Sequence, residues 1–313
     1  MSSVVISPGE RASRSRPAFL LVGLGVPARL AIVCGVLLIA LGGALVFGAS
    51  TGPTAIPARD VADALLHYAG IDRGVDTASA TYRIVTIVRL PGLMVAALVG
   101  AALACAGATM QGLFRNPLAD PGIIGVSAGA SLGVVLAMTG FAALSGLGAA
   151  NGGPLADALW RVPVAAFAGA MLAALVVYVL SLQRGRTNLA ALLLAGVALN
   201  SVLGAITSLL LLRSADGDAV RSVLSWLVGS LEGRGWDYFH VVKWPILVSA
   251  ILIVIYSREL NLLAIGEEDA QALGVNVART RLILLALASL MTASAVSIAG
   301  AIAFVGLVVP HML

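Results

Sequence analysis

Charge is scarce in this chain, and the scarcity excludes several functions at once. Asp, Glu, Lys and Arg make up 11% of its 313 residues, against about 25% in a soluble domain. The lone lysine, Lys243, sits in VVKWP with no glycines before it. A phosphate-cradling GxxxxGK[ST] loop is therefore absent, and this polypeptide carries no Walker A site of its own. Its three histidines, His67, His240 and His311, are far apart and no HExxH occurs, which argues against a hydrolase built on a zinc helix. Two cysteines, Cys34 and Cys105, lie inside apolar runs without partner spacing, so neither a disulfide framework nor a metal site is indicated. The net charge of +4 would suit nucleic acid, but the arginines stand as singles between apolar runs, without a basic stripe or interleaved aromatics. No nucleic-acid partner is expected.

What the chain has in abundance is hydrocarbon. Hydrophobic residues are 60% of the total and the mean hydropathy is +1.03, which predicts an all-α, polytopic transmembrane helix bundle with the lipid bilayer as its surroundings. Uncharged runs long enough to cross about 30 Å of hydrocarbon fall at 28–49, 90–114, 122–147, 162–182, 189–212, 239–256 and 282–302. These are seven spans, with an eighth beginning. Residues 282–313 contain no Asp, Glu, Lys or Arg and stop without a basic flank, so the chain is expected to be C-terminally incomplete. Residues 1–27 form a basic tail with Arg11, Arg14 and Arg16, followed by an apolar stretch too long for a signal-peptide core. The permease-like body occupies 28–313, with connections at 50–83, 213–238 and 257–281; within the first, ARDVADALLHYAG predicts an amphipathic surface helix. Arginine counts on the two sides are close, but the tail and the QRGRT loop are the most purely basic segments and place the N-terminus inside.

Two polar segments interrupt the oily pattern. In QGLFRNPLADPGIIGVSAGA, Pro117 and Pro121 stand four apart and cannot share one regular helix. Asn116 and Asp120 each precede a proline and can bond freed backbone groups, and Gly122 is expected to permit the reversal. The segment predicts a rigid turn between spans two and three, with Arg115 at the interface; beyond it Gly125, Gly129 and Gly133 make a small-residue ridge suited to helix packing. In GEEDAQALGV, three acids follow Gly266 and suit the positive end of a short helix that Gly274 stops. Such a helix can dock into a partner's groove, although an ordinary solvated loop helix carries the same signals. Spans three, four, five and seven hold no carboxylate, as an ion-coupled carrier would need. The energy for any transport must come from outside the polypeptide; an ion-coupled secondary transporter or channel is the contrasting expectation.

VRLPG (88–92), GAALACAGATMQGLFRNPLADPGIIGVSAGA (100–130), LLLAGVALN (192–200), WLVGSLEGRGW (226–236), GEEDAQALGV (266–275) and AGAIAFVGLVVPH (299–311) occur in this order. Together they resemble the FecCD-type permeases, the membrane subunits of ATP-binding-cassette importers for vitamin B12, ferric siderophores and haem. The resemblance implies ten spans in the complete subunit, a homodimer, two ATPase subunits and a periplasmic substrate-binding protein, in a bacterial inner membrane. It implies no cofactor and no metal on this chain, no catalytic residue, and ATP with Mg on the partner ATPase. Gly266, Glu267, Ala270, Leu273 and Gly274 match the segment that couples to the ATPase. Arg89 matches an arginine that docks the binding protein, with Arg83 as a further candidate because Gly92 stands where the family has a second arginine. Thr187, Asn188, Leu189 and Ala190 occupy the gate region. Asn200, Ser201, Thr207 and Ser208 on span five either face the pathway or serve helix packing. Asn116, Pro117, Asp120, Pro121 and Gly122 form a structural turn.

Overall fold

A computed structural model of the chain describes residues 25–139, 158–183, 186–214 and 216–312. Most of the tail expected over 1–27, including Arg11, Arg14 and Arg16, lies outside the described residues, as does Arg184. The chain divides after Asp63 into two compact units. The first contains α1 (Val26–Ser50), an apolar helix with Pro27 in its first turn, and the start of α2 (Ala58–Tyr68). That second helix is the amphipathic segment expected within 50–83.

The second unit is helical almost throughout. Its first long element runs as α3 (Ala80–Arg83), a π turn (Ile84–Arg89) and α4 (Leu90–Phe114) without a break. The uncharged run placed this span at 90–114, but the helix starts ten residues sooner. Ser79 caps it, its hydroxyl accepting from the Tyr82 N–H at 3.2 Å. Pro91 does not stop it: it falls in the first turn of α4, after a π turn in which the Leu90 N–H reaches back five residues to the Val85 carbonyl, and the Thr86 carbonyl that Pro91 cannot serve in that register accepts from the Trp236 indole N–H. Arg83 and Arg89 therefore belong to the helix rather than to a loop before it.

Then come α5 (Val126–Met138), α6 (Ala158–Leu180), a two-residue ladder of β1 (Leu182–Gln183) with β2 (Arg186–Thr187), and α7 (Leu189–Arg213). The part of the third expected span beyond Thr139 falls outside the described residues. The connection at 213–238 holds a helix that span-counting does not find, α8 (Gly217–Val228), capped by Asp216 and ended by Gly229 at φ +82°. After α9 (Trp236–Ile255) come α10 (Ser257–Ile265), α11 (Glu267–Ala272), α12 (Val277–Ala299) and α13 (Val305–Met312). Among the described residues six helices are long and apolar enough to cross a membrane, with Val126–Met138 a shorter apolar one.

α12 sits at the centre of this unit. Leu284, Ala288, Met291, Ala295 and Ile298 are nearly or fully buried along it. Its hydroxyls need no partner elsewhere: Ser289, Thr292 and Ser294 donate to the carbonyls of Leu285, Ala288 and Leu290, each four residues back. Around it the helices approach closely at glycine. Gly129 on α5 faces Gly169 on α6 so tightly that a Cβ on either would run into the other's carbonyl, and Gly133 meets Ala165 in the same way. The expected ridge is thus a real helix contact, made where lipid supplies no hydrophobic drive between helices. Replacing Gly129 with Val should cost about 1–3 kcal/mol, read as a lower thermal unfolding midpoint in detergent. Gly204→Ala, where an added Cβ meets nothing within 4 Å, should leave the midpoint unchanged or slightly raised.

Candidate functional site

The NPLADPG segment closes α4 and opens α5 by satisfying its own backbone. Arg115 takes the left-handed conformation (φ +50°), and the Asn116 N–H returns to the Gln111 carbonyl at 3.2 Å. Asn116 Oδ1 then accepts from the Leu118 N–H at 2.9 Å, and Asp120 Oδ1 from the Gly122 N–H at 2.6 Å. Pro121 is buried and starts a single 3-10 turn, Pro121–Ile124, while Asn116 and Pro117 are exposed. The reversal expected at Gly122 falls instead on Arg115 and on Gly125, whose φ is +89°. Gly122 is needed for space: a Cβ there would lie 2.8 Å from Asp120 Oδ1.

Span five seats itself on this turn. Gly196 lies so close to the Ile123 carbonyl that a side chain could not be added, and Asn200, one turn on, points its Nδ2 at the carbonyls of Gly122 and Ile123 at 3.4 and 3.5 Å. Asn200 therefore packs against the turn. Thr207 is also buried. Ser201 and Ser208, seven residues apart on one face of α7, are exposed, and the Ser201 hydroxyl donates to the Val197 carbonyl of its own helix.

The same end of the unit gathers the other two polar segments. α11 is flanked by Gly266, extended, and Gly274, left-handed at φ +86° as the stop signal implied. The Glu267 carboxylate accepts from the Arg281 guanidinium of α12 and lies 3.9 Å from Arg115 Nη2. Arg281 Nη1 donates in turn to the Thr187 carbonyl at 3.4 Å, beside the root of α7. Asn188 caps that helix, accepting from the Ala191 N–H at 3.0 Å, and its amide donates to Gln183 Oε1 across the β1–β2 turn. Thr187, Asn188, Leu189, Ala190, Glu267 and Arg281 all line one open cavity of about 620 Å³, with Arg115 at its edge. Ala270 is fully buried and seats α11 on its own bundle, so it offers no surface to a second chain; Leu273 is 63% exposed and does. The convergence of Arg115, Glu267 and Arg281 could not be read from spacing.

Arg83 and Arg89 lie elsewhere. The 25 residues of α4, about 37 Å of helix at 1.5 Å per residue, separate Arg89 from Arg115. Arg83 is exposed and Arg89 half-buried. Near them the Trp236 indole N–H donates to the Thr86 carbonyl at 3.2 Å, and the ring stacks with Tyr68 and meets Phe239 edge-on. Among the described residues no three His, Cys, Asp or Glu side chains converge closely enough to hold a metal ion.

A bundle of long apolar helices, interrupted by self-satisfied turns and carrying a short capped helix at one end, is an all-α polytopic membrane protein. Residues 36–313 match the FecCD transport family, and the chain belongs to it. It is 46% identical over 228 residues to the cobalamin import system permease protein BtuC of Halobacterium salinarum, covering 73% of this chain and 58% of that one. To the hemin transport system permease protein HmuU of Yersinia pestis it is 41% identical over 237 residues, 76% of this chain and 68% of the relative. To the ferric enterobactin transport system permease protein FepD of Escherichia coli the figure is 42% over 235 residues, 75% and 66% of the two chains. A solved structure described as an inward-facing conformation of a metal-chelate type ABC transporter superposes with a TM-score of 0.73 at 28% identity, covering 90% of this chain and 80% of that chain. The matched region thus spans between about three fifths and two thirds of these relatives' length.

Replacing Asp120 with Ala removes the acceptor that holds Gly122 and the start of the 3-10 turn. The expected loss is about 0.5–2 kcal/mol of stability, read as a lower thermal midpoint of the purified protein, with Asp120→Asn closer to the unaltered value.

Proposed function

We propose that this chain is the membrane-spanning subunit of an ATP-binding-cassette importer in a bacterial inner membrane, moving a bulky cargo of the cobalamin, haem or ferric siderophore class. The chain does no covalent chemistry on that cargo. Separate ATPase subunits, with ATP and Mg, drive it, and a periplasmic binding protein delivers to it. The observation that supports this most directly is the placing of α11. It is a short helix between two glycines, with Leu273 presented outward and Glu267 turned inward towards the root of α7. A partner that moves α11 therefore moves a segment tied through Arg281 to the Thr187 carbonyl, at the start of the gate region, Thr187 to Ala190.

The rest of the mechanism follows from the two ends. Arg83 and Arg89 stand at the far end of α4 from the coupling helix, where acidic side chains of a binding protein would meet them. The exposed face of α7, with Ser201 and Ser208 among Leu194, Val197, Leu209 and Leu212, would border the passage between two copies of the subunit. Such a face is nearly uncharged, which suits a large cargo that must pass without being held. Closure of the ATPase dimer would shift the bundle between outward and inward states by displacing the coupling helices.

The test is uptake into vesicles holding the full-length subunit with its co-purified ATPase, offered cyanocobalamin, haemin and ferric enterobactin with the matching binding protein. Uptake of one of them that requires ATP is expected; uptake driven by an ion gradient alone would overturn the proposal in favour of a secondary carrier. Leu273→Glu should release the ATPase and abolish transport-linked hydrolysis while the membrane dimer stays assembled on gel filtration. Reversing Arg89 to Glu should make docking of the binding protein weaker and more sensitive to salt.

A further inference from the structure

Three segments of the chain meet at one guanidinium, that of Arg281. Glu267 opens the coupling helix, Arg281 belongs to the buried central helix, and Thr187 ends the β1–β2 turn at the root of α7. The Arg281 side chain is 9% exposed. Its planar guanidinium spans the gap, one arm on the Glu267 carboxylate and the other on the Thr187 carbonyl, while its Nε is buried without a partner. A buried guanidinium with one carboxylate partner holds that partner firmly, because separating the pair leaves a charge away from water. α11 has little else to fix it: one small buried side chain, Ala270, and a glycine at each end. Arg115 stands 3.9 Å from the same carboxylate, on the turn where α7 is seated. It adopts a left-handed backbone that a residue with a side chain enters reluctantly.

We infer that Glu267 is a positioning residue that clamps the coupling helix to the root of α7 through Arg281, so that displacement of α11 is delivered to the gate turn instead of being taken up by the loop. The inference rests on the reading of α11 as the segment that meets the ATPase. It adds that the link from that segment to the gate is an ion pair with a fork geometry. Charge alone does not suffice: a lysine at 281 would keep the charge but could not hold the carboxylate and the carbonyl in one plane. Removing either side of the clamp should break the same link, so the two losses should not add.

The experiment uses the full complex in proteoliposomes and measures molecules imported per ATP hydrolysed, with whichever of cyanocobalamin, haemin or ferric enterobactin the unaltered complex imports. Glu267→Gln and Arg281→Lys should each lower this ratio about tenfold, with the ATPase still co-purifying in the same proportion, and the double variant should be no worse than either. A side chain that merely stabilised the fold would reduce assembly without changing the ratio of the complexes that form. An unaltered ratio in Glu267→Gln overturns the inference, and should that variant fail to assemble, an unaltered ratio in Arg281→Lys overturns it equally. If Leu273→Glu leaves the ATPase bound and coupled, the assignment of α11 itself has failed. If Leu273→Glu uncouples and Glu267→Gln does not, only the clamp has failed.

Discussion

In hydrocarbon no water stands ready to accept or donate a hydrogen bond, so each place where this chain leaves a regular helix has to close its own bonds. Three places in the described bundle show different means of closing polar groups. At Pro91 the backbone stays helical and widens by one residue, Leu90 reaching Val85. At NPLADPG two side chains, Asn116 and Asp120, take the place of missing backbone partners within two residues of themselves. Along α12 the hydroxyls fold back onto carbonyls of the same helix, which lets a serine-rich and threonine-rich segment occupy the centre of the unit. Close packing follows from that economy. Helices without outward-pointing polar needs can approach to backbone contact, as Gly129 and Gly169 do.

The spans were legible because a run free of charge is visible at a glance, and the interiors of six of the seven match the helices seen. Their ends were not. The second begins at Ala80, not at 90, because a serine cap and a π turn let a helix run through Arg83, Arg89 and Pro91. The twelve residues of α8 were invisible to a search for spans, although Asp216 before them and Gly229 after them are ordinary start and stop signals. The short helix α11 was legible through its acids and its two glycines. Which way Glu267 points was not, since that depends on Arg281 fourteen residues later and on Arg115 from another turn. Asn200 shows the same boundary: its residue type fits a passage or a packing contact equally, and its contact with the turn shows only once Gly196 is seen beside Ile123.

Charge in this chain is sparse, and where it gathers beside α11 it is shared. Two guanidiniums, Arg115 and Arg281, address one carboxylate, so the charged side chains lining the open cavity there carry a surplus of positive charge. A polar surface of that sign favours the water-facing side of a bundle over its lipid-facing one. The opposite end is organised by aromatic rings around Trp236, the side chains suited to the boundary between water and acyl chains.

The widened turn at Ile84–Arg89 has a geometric consequence for everything that precedes it. Each residue of a regular helix advances about 100° around the axis, so one extra residue rotates Tyr82 and Arg83 by roughly that angle relative to Leu90 and the span below. Counting by heptads up from α4 would aim Arg83 at the wrong neighbour. Excising one residue between Ile84 and Val88 would let the segment relax to ordinary winding, swinging the mouth of this helix sideways while its membrane-crossing length hardly changed.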